Sequence, residues 1–417
     1  MTRWTSCRAN GQPRRRVVVT GLGVVSPIGI GQKDFAAGLR AGRLGVRPVS
    51  RLDASALPCR LAAEVDRSLL PPKPAALDWA THYAAAAASE AVADAELDAA
   101  REPTSIGVSM GATKAGPELL DRAGRAMRDG PHAVPDGMGR NLSPGAVAHT
   151  VAEQLGLAGP CTAVAAACST GAHNIIWAAE MVAAGRAEAV VAGSTDAPIV
   201  PSLFAAFANL RNVMTTHNER GATAVRPFCA TRDGLAMGEG AGAVVVEALE
   251  HARARGACVY AELAGWTTAA EAAHITSLPT DTRVPVRAIG AALAMAQVDP
   301  TDIDYVCAHG TATERNDPYE TDAYKAALGG AAGRVPISSI KAMLGHCMAA
   351  AAAIDAVGTL VAMAEGFVPP TGNYYEPDPR CDLDYVPNTA RSGRIGCALS
   401  PSFAFGGHIG VLLFRRP

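Results

Sequence analysis

Apolar runs typical of β-strands alternate with alanine-rich runs typical of helices along almost all of the 417 residues. The run that most constrains the fold is 349–363, which opens with five alanines and continues with Ile354, Val357 and Leu360 at helical spacing. Because small side chains let a helix approach a sheet or another helix closely, we expect this helix to lie between sheets. The alternation as a whole predicts an α/β fold whose sheets are covered on both faces.

The predicted elements divide the chain into a short basic tail and two halves. We expect the tail at residues 1–15, the first half at 16–255 and the second half at 256–417. Gly21-Leu22-Gly23 after the first strand predicts a turn, and Ser26 stands where a dinucleotide-binding loop would have its third glycine. The predicted strands are 16–20, 104–110, 188–193, 242–247, 305–308, 395–400 and 409–414, and the predicted helices are 78–95, 286–296 and 349–363.

The composition argues against several classes of protein. A net charge of −2 gives no general attraction to nucleic acid. The arginines of the tail are not followed by a signal-peptide core, and the apolar run 17–19 is too short to span a bilayer. The ten cysteines include no C-x-x-C pair, so the sequence predicts no metal site and indicates a reduced, cytoplasmic protein.

Cys168 is the first candidate for chemistry. It lies in A-A-A-C-S-T-G-A-H-N (165–174), on a small-residue turn directly before an amphipathic helix. The positive end of the helix macrodipole and the unpaired backbone N–H groups there favour the thiolate, which is the nucleophilic form. A buried structural cysteine is the alternative, because most free cysteines are buried.

Ser109 is a second candidate nucleophile, in the sequence G-V-S-M-G that follows a predicted strand. This sequence matches the G-x-S-x-G elbow of serine hydrolases, so a hydrolase is one alternative function. The residues after it do not open a clean helix, which an elbow requires. A glycine-bounded strand end that packs closely is the other interpretation.

Two histidines follow at the boundaries of predicted elements. His309 lies in A-H-G-T-A-T directly after a strand, where site residues of open α/β sheets are often found, and Glu320 follows downstream. Lys341 and His346 flank a turn that leads into the alanine-rich helix. A lysine near an imidazole disfavours a second positive charge and keeps that imidazole neutral. The alternatives are a core histidine at 309, and a surface lysine beside a helix-capping histidine.

A fourth segment, S-F-A-F-G-G-H (402–408), lies between the last two predicted strands. Phe403 and Phe405 beside Gly406 and Gly407 are suited to a mobile hydrophobic flap, because glycines allow unusual dihedral angles and leave N–H groups free to donate. A hairpin turn between the two strands is the alternative.

One reactive thiol and two neutral imidazoles define a chemistry. The thiol would take up an acyl group as a thioester, and the imidazole N–H groups would stabilise the enolate formed when a second thioester loses CO2. Attack of the enolate carbon on the acyl group would form a carbon–carbon bond without a metal or an organic cofactor.

The segments that contain Cys168, His309, Lys341 with His346, and the flap together resemble those of the β-ketoacyl-acyl carrier protein synthases. They are most similar to the elongating Cys-His-His type of fatty-acid and type II polyketide systems. The resemblance implies a thiolase-like five-layer αβαβα sandwich of two related halves, normally a dimer. It implies Cys168 as the nucleophile and His309 and His346 as the decarboxylation histidines. Lys341 would then order the second histidine, and Glu320 would be the family's buried acid.

The resemblance also assigns the flap and the partners. Phe405 matches the gating phenylalanine, flanked by Phe403, Gly406 and Gly407, and its backbone N–H would share the oxyanion hole with that of Cys168. The implied partner is an acyl carrier protein, whose phosphopantetheine carries the substrates, and the implied assembly is a homodimer or a heterodimer with a ketosynthase-like subunit. A non-catalytic, chain-length-setting subunit is the alternative within the family, although such subunits lack the nucleophile.

The flap departs from the usual family loop at four positions. Pro401, Ala404, His408 and Ile409 stand where the family usually has asparagine, glycine, threonine and asparagine. Because proline and alanine restrict the backbone, we expect a stiffer flap. These changes favour a specialised substrate, such as a polyketide or polyene chain, over housekeeping lipid synthesis.

Overall fold

The computed structural model describes residues 14–98, 100–114, 116–134, 138–210 and 212–417. Every predicted strand and helix overlaps an observed element of the same type. The strands are β1 (Val17–Ser26), β2 (Gly29–Ile30), β3 (Val46–Pro48), β4 (Leu61–Ala63), β5 (Ile106–Gly111), β6 (Cys161–Thr162), β7 (Ala189–Asp196), β8 (Met237–Gly238), β9 (Gly240–Ala248), β10 (Ala261–Ala270), β11 (Tyr305–Cys307), β12 (Ile337–Ser338), β13 (Phe367–Val368), β14 (Arg391–Ser392), β15 (Cys397–Phe403) and β16 (His408–Arg415). The α-helices are α1 (Gln32–Ala41), α2 (Trp79–Asp94), α3 (Pro117–Ala126), α4 (Met138–Leu142), α5 (Ala146–Leu155), α6 (Thr170–Ala183), α7 (Pro201–Ala208), α8 (Leu249–Ala254), α9 (Arg283–Ala296), α10 (Asn316–Leu328), α11 (Lys341–Leu344) and α12 (Ala351–Glu365).

The main sheet consists of two halves with the same strand order. The first half has the order β1-β9-β7-β5-β6, and the second has the order β10-β16-β15-β11-β12. In each half the first two pairings are antiparallel and the next two are parallel. The halves meet where β1 pairs with β10. Because order and direction both repeat, the structure confirms two related halves.

The helices complete five layers. On the outer side of the first half, α2 and α5 contact strands β1, β9, β7 and β5, and on the outer side of the second half α9 contacts β10 and β16. The helices α6 and α12 contact strands of both halves and also each other. They therefore form the middle layer, and the architecture is the predicted αβαβα sandwich.

Small residues make the middle layer possible. A Cβ atom at Gly171 of α6 would lie 2.3 Å from the backbone nitrogen of Ala353 in α12, so only glycine permits this approach. The apolar stretch Met348–Glu365 is long enough to cross a membrane, but 89% of it is buried inside the fold. The alanine-rich run is thus a central core helix, as predicted.

The glycines of the first strand differ from the prediction. Gly21 and Gly23 do not form a turn, because β1 continues through them to Ser26. A Cβ atom at Gly21 would lie 2.1 Å from the carbonyl oxygen of Ala91, and one at Gly23 would lie 1.9 Å from that of Ala87. These glycines therefore let helix α2 pack directly on the strand.

The described end of the basic tail is joined to the body of the protein. Arg14 pairs with Glu180, and Arg15 pairs with Glu188 at 2.7 Å. The first thirteen residues of the predicted tail lie outside the described part of the chain.

Candidate active site

The structure brings the predicted nucleophile and both predicted histidines to one pocket. Cys168 from the first half and His309 and His346 from the second half line a cavity of about 350 Å³. The two imidazole rings stand edge to face, with their centres 5.4 Å apart and an interplanar angle of 84°. A substrate in this pocket can therefore contact the thiol and both imidazoles at once.

Cys168 lies in a strained turn at the start of α6. It is the middle residue of a short 3₁₀ turn, and Ala167 before it has the left-handed φ of +48° that non-glycine residues rarely adopt. The Thr170 hydroxyl accepts a hydrogen bond from the Ala166 N–H at 2.9 Å and donates one to the Ala167 carbonyl at 2.7 Å. These two bonds hold the turn and leave the thiol partly exposed to the pocket.

The thiol is the resting form of Cys168. The pKa of this thiol is raised to about 11, chiefly by burial and also by Asp196, while Lys341 and the backbone N–H groups of Phe405 and Cys168 act in the opposite direction. The backbone N–H groups thus act in the direction expected of a helix start, but burial outweighs them and the net shift of the pKa is upward.

His346 is held by its backbone and by one ring nitrogen. Its N–H donates to the carbonyl of Ala236, and its carbonyl accepts from the N–H of Gly238, both at 2.8 Å. The Met348 N–H donates to Nδ1 of the ring at 3.0 Å. Because Nδ1 acts as the acceptor, the ring proton of the neutral imidazole lies on Nε2, which becomes the donor.

His309 is positioned through the backbone of its loop. Glu320 of α10 accepts the N–H groups of His309 at 2.6 Å and of Gly310 at 2.7 Å. Asn316 and Tyr324 also donate to this carboxyl group. The predicted buried acid therefore fixes the backbone of the His309 loop. Burial raises the pKa of Glu320 to about 7.

Both imidazoles are neutral. Burial, and after it the Lys341 charge, together lower the pKa of His346 to about 3. The pKa of His309 also falls well below its ordinary value because of burial, Lys341 and His346. This confirms the prediction that Lys341 disfavours a second positive charge on the adjacent imidazole.

The partner of Lys341 was not predicted from the sequence. Its ammonium group donates to Asp355 of α12 at 2.8 Å, and each side chain is only 2% exposed. The available signal was Asp355 as the only acidic residue of the alanine-rich run 349–363, since a buried charge requires a partner. Asp355 thus balances the positive charge near the two histidines.

Of the predicted flap residues, Phe403, Phe405 and Gly407 line the pocket. The Phe405 N–H contacts the sulfur of Cys168, and the Phe405 ring stacks on Phe207 with centres 6.4 Å apart. Phe403 meets His309 edge to face at 6.0 Å. Gly406 has a φ of +81°, and its N–H donates to the Ile275 carbonyl at 2.7 Å. The loop connects β15 to β16 and also forms one wall of the pocket, to which Gly407 contributes.

Ser109 does not line this pocket. It lies fully buried in β5, and its hydroxyl donates to Asn174 at 2.9 Å. An elbow serine must be exposed beside a general base, so the hydrolase alternative is wrong. The G-V-S-M-G sequence instead packs closely against its neighbours, because a Cβ atom at Gly111 would lie 2.2 Å from the Val164 carbonyl oxygen.

Two family models match the chain. The model for the N-terminal domain of β-ketoacyl synthases matches residues 14–252, and the model for the C-terminal domain matches residues 260–375. Residues 253–259 lie between the two matches, and the predicted division after residue 255 falls among them.

Curated relatives match almost the whole chain. The tetracenomycin polyketide synthase ketoacyl synthase alpha subunit of Streptomyces glaucescens is 39% identical, over 97% of this chain and 97% of the relative. The 3-oxoacyl-[acyl-carrier-protein] synthase 2 of Synechocystis is 40% identical, over 97% of this chain and 98% of the relative.

Solved structures agree with these relatives. A type II polyketide ketosynthase, solved with its acyl-carrier protein and bound to the hexaketide, superposes with a TM-score of 0.91 at 33% identity, over 97% of this chain and all of the other. The ishigamide ketosynthase/chain length factor gives a TM-score of 0.88 at 34% identity, over 97% of this chain and all of the other. With the two family models and the pocket of one thiol and two neutral imidazoles, these likenesses place the chain in the β-ketoacyl synthase family.

Proposed function

We propose that the chain catalyses the decarboxylative Claisen condensation of an acyl group on Cys168 with malonyl-acyl carrier protein, giving a β-ketoacyl-acyl carrier protein. The observation that carries this proposal is the meeting of Cys168, His309 and His346 in one cavity. The names of the relatives and solved neighbours support the same reaction class.

In the first step, the acyl group moves from the carrier thiol to Cys168. The sulfur of Cys168 attacks the thioester carbonyl, the bond to the carrier sulfur breaks, and the carrier thiol leaves with the proton that Cys168 gives up. Because the two partners are both thiols, the exchange balances without an added reagent. The N–H of Phe405, which contacts the sulfur, supports an oxyanion hole formed with the N–H of Cys168.

In the second step, malonyl thioester loses CO2 between the histidines. The bond from the methylene carbon to the carboxylate breaks, and its electron pair forms an enolate at the thioester oxygen. Nε2–H of His346 donates to this oxygen, and His309 provides the second imidazole. A neutral imidazole suits this role, since it donates a hydrogen bond without fully protonating the enolate.

In the third step, the enolate carbon attacks the acyl-Cys168 carbonyl. The tetrahedral intermediate collapses, the carbon–sulfur bond breaks, and the leaving Cys168 thiolate takes up one proton from solvent water to regenerate the thiol. The raised pKa of the thiol favours this return to the neutral resting form. The product β-ketoacyl group remains on the carrier protein.

We further propose that this chemistry uses neither a metal nor an organic cofactor, because the imidazoles and backbone N–H groups supply the stabilisation that each step needs. Carrier protein is the proposed partner, and its phosphopantetheine arm delivers both substrates. The assembly is a homodimer or a heterodimer with a ketosynthase-like subunit. We assign the enzyme to polyketide or fatty-acid elongation in the cytoplasm, with a specialised chain as its substrate. A chain-length-setting role is disfavoured because Cys168 is present.

The experiment that tests this function is intact-mass spectrometry of the protein after incubation with acyl-acyl carrier protein, followed by addition of malonyl-acyl carrier protein. We expect an acyl adduct on Cys168 that disappears as β-ketoacyl-carrier protein and CO2 form. Cys168→Ala should abolish both the adduct and condensation, while some CO2 release survives because both imidazoles remain. An adduct at another residue, or condensation by the Cys168→Ala variant, would overturn the proposal.

A further inference from the structure

A buried carboxylate of the first half reaches the loop that carries His346 in the second half. Asp196 is the last residue of β7 and is fully buried. Its Oδ2 accepts the N–H of Ala349 at 3.2 Å and also the hydroxyl of Thr113. Oδ1 is buried and has no hydrogen-bond partner in the described part of the chain. This group is not used by the three chemical steps.

The same strand holds Ala349 by a second bond. Ser194, two residues before Asp196 on the same face of β7, donates its hydroxyl to the Ala349 carbonyl at 2.7 Å. The N–H and the C=O of one residue of the histidine loop are therefore both bound by the end of β7. Ala349 itself is fully buried, so loss of either bond would leave a backbone polar group unpaired away from water, which is unfavourable.

Ala349 directly follows the residue that fixes the His346 ring. Met348 has a left-handed φ of +49°, a conformation that costs a non-glycine residue about 1–3 kcal/mol and persists only where neighbouring contacts enforce it. In this conformation its N–H donates to Nδ1 of His346. The two bonds to Ala349 are contacts that hold the strained backbone in place.

We propose that Asp196 is a positioning residue for His346. It acts through Ala349 and Met348 to keep Nδ1 of His346 an acceptor, so that Nε2–H faces the reacting thioester. This inference rests on the proposed function, because it assigns the ring proton of His346 to the decarboxylation step. If the bond to Ala349 is lost, Met348 can relax and the His346 ring can change tautomer or rotate.

The chain offers a matched pair of variants at this position. Because Thr113 and Ala349 both donate to Oδ2, Asp196→Asn can place its amide oxygen there and its NH₂ group at the unpartnered Oδ1 position. Asp196→Ala removes both acceptors. Both variants remove the negative charge of Asp196, but only Asp196→Asn keeps a hydrogen-bond acceptor. The comparison between them therefore separates the effect of hydrogen bonding from that of charge.

The kinetic test measures CO2 release from malonyl-acyl carrier protein by both variants. We expect Asp196→Ala to lower kcat by about tenfold or more with KM within about twofold, because only the step that uses Nε2–H is affected. Asp196→Asn should restore at least about half of the wild-type kcat. Equal losses in both variants, or a loss confined to KM, would overturn the proposal.

A second measurement does not depend on substrate. In protein labelled with ¹⁵N-histidine, the nitrogen shifts of His346 should report a proton on Nε2 for the wild type and for Asp196→Asn, and a different or mixed state for Asp196→Ala. Unchanged shifts in Asp196→Ala would overturn the positioning role even if the enzyme proved inactive toward malonyl thioesters. If Asp196→Ala does not fold, Ser194→Ala removes the other bond to Ala349 and should change the same shifts, and unchanged shifts there would also overturn the proposal.

Discussion

Lys341 and Asp355 form an ion pair of 2.8 Å in the interior of the protein, with each side chain 2% exposed. The pair acts electrostatically on both imidazoles, since the Lys341 charge contributes to the lowered pKa of each. One charged partner without the other would be a bare charge in a medium of low dielectric constant. The pair therefore links the stability of the fold to the protonation state of the site.

The first prediction concerns this pair. Asp355→Asn should lower the free energy of unfolding by about 3–5 kcal/mol, because it leaves the Lys341 ammonium buried and uncompensated. The double variant Lys341→Met, Asp355→Asn should lose less than Asp355→Asn alone, since no unpaired charge remains. Urea unfolding followed by circular dichroism measures both. A double variant less stable than Asp355→Asn would show that the charge is not the cause.

The second prediction concerns pH. The pKa of His346 is lowered to about 3 in the folded protein, so between this value and the ordinary pKa of about 6.5 the unfolded chain binds the additional proton. The contribution of His346 to stability is therefore complete above the unfolded pKa and falls as the pH falls through this window, by up to about 1.4 kcal/mol per pH unit.

A variant that lacks only His346 isolates the contribution of this residue. Glu320, whose pKa is raised to about 7, has the opposite sign, because its folded form holds a proton that the unfolded chain has released. In the wild-type protein, the opposite contributions of His346 and Glu320 to the pH dependence of the unfolding free energy therefore partly cancel. The difference in unfolding free energy between wild type and His346→Gln should shrink as the pH is lowered from about 7 to about 5. A difference that stays constant would mean that His346 is not held neutral by the fold.

How far these features follow from sequence differs from residue to residue. Cys168, His309 and His346 were predictable because each lies in a short segment next to a strand end or a helix start. The central position of α12 was predictable from its run of alanines.

The roles of Asp355 and Asp196 were not predictable, because the partner of a buried acid depends on which elements of the two halves meet in space. Gly21 and Gly23 were misinterpreted for the same reason: their neighbours Ala91 and Ala87 belong to a helix distant in sequence.

The third prediction concerns Glu320. Glu320→Gln replaces one carboxylate oxygen by an NH₂ group, which then faces the N–H of either His309 or Gly310 instead of accepting it. The His309 loop should shift, and CO2 release from malonyl-acyl carrier protein should fall by about tenfold or more, while the mass adduct on Cys168 still forms. Glu320→Asp, which keeps both oxygens on a shorter side chain, is the control and should be less impaired in CO2 release. If Glu320→Gln instead loses acylation first, the carboxyl group serves Cys168 rather than the His309 loop.

The last prediction concerns the stack of Phe405 on Phe207, whose rings are nearly parallel at 9°. Such aromatic pairs contribute about 0.5–1.5 kcal/mol beyond their buried area, so Phe207→Ala should raise the population of flaps that have moved away from Cys168 by about two- to tenfold. Because the Phe405 N–H contacts the Cys168 sulfur, a displaced flap should expose the thiol, and alkylation of Cys168 by iodoacetamide should accelerate by a similar factor. Phe207→Leu keeps apolar bulk without the stack and should fall between wild type and alanine. Equal alkylation rates in all three proteins would mean that Phe405 is held by its backbone bonds alone, chiefly the bond from Gly406 to Ile275.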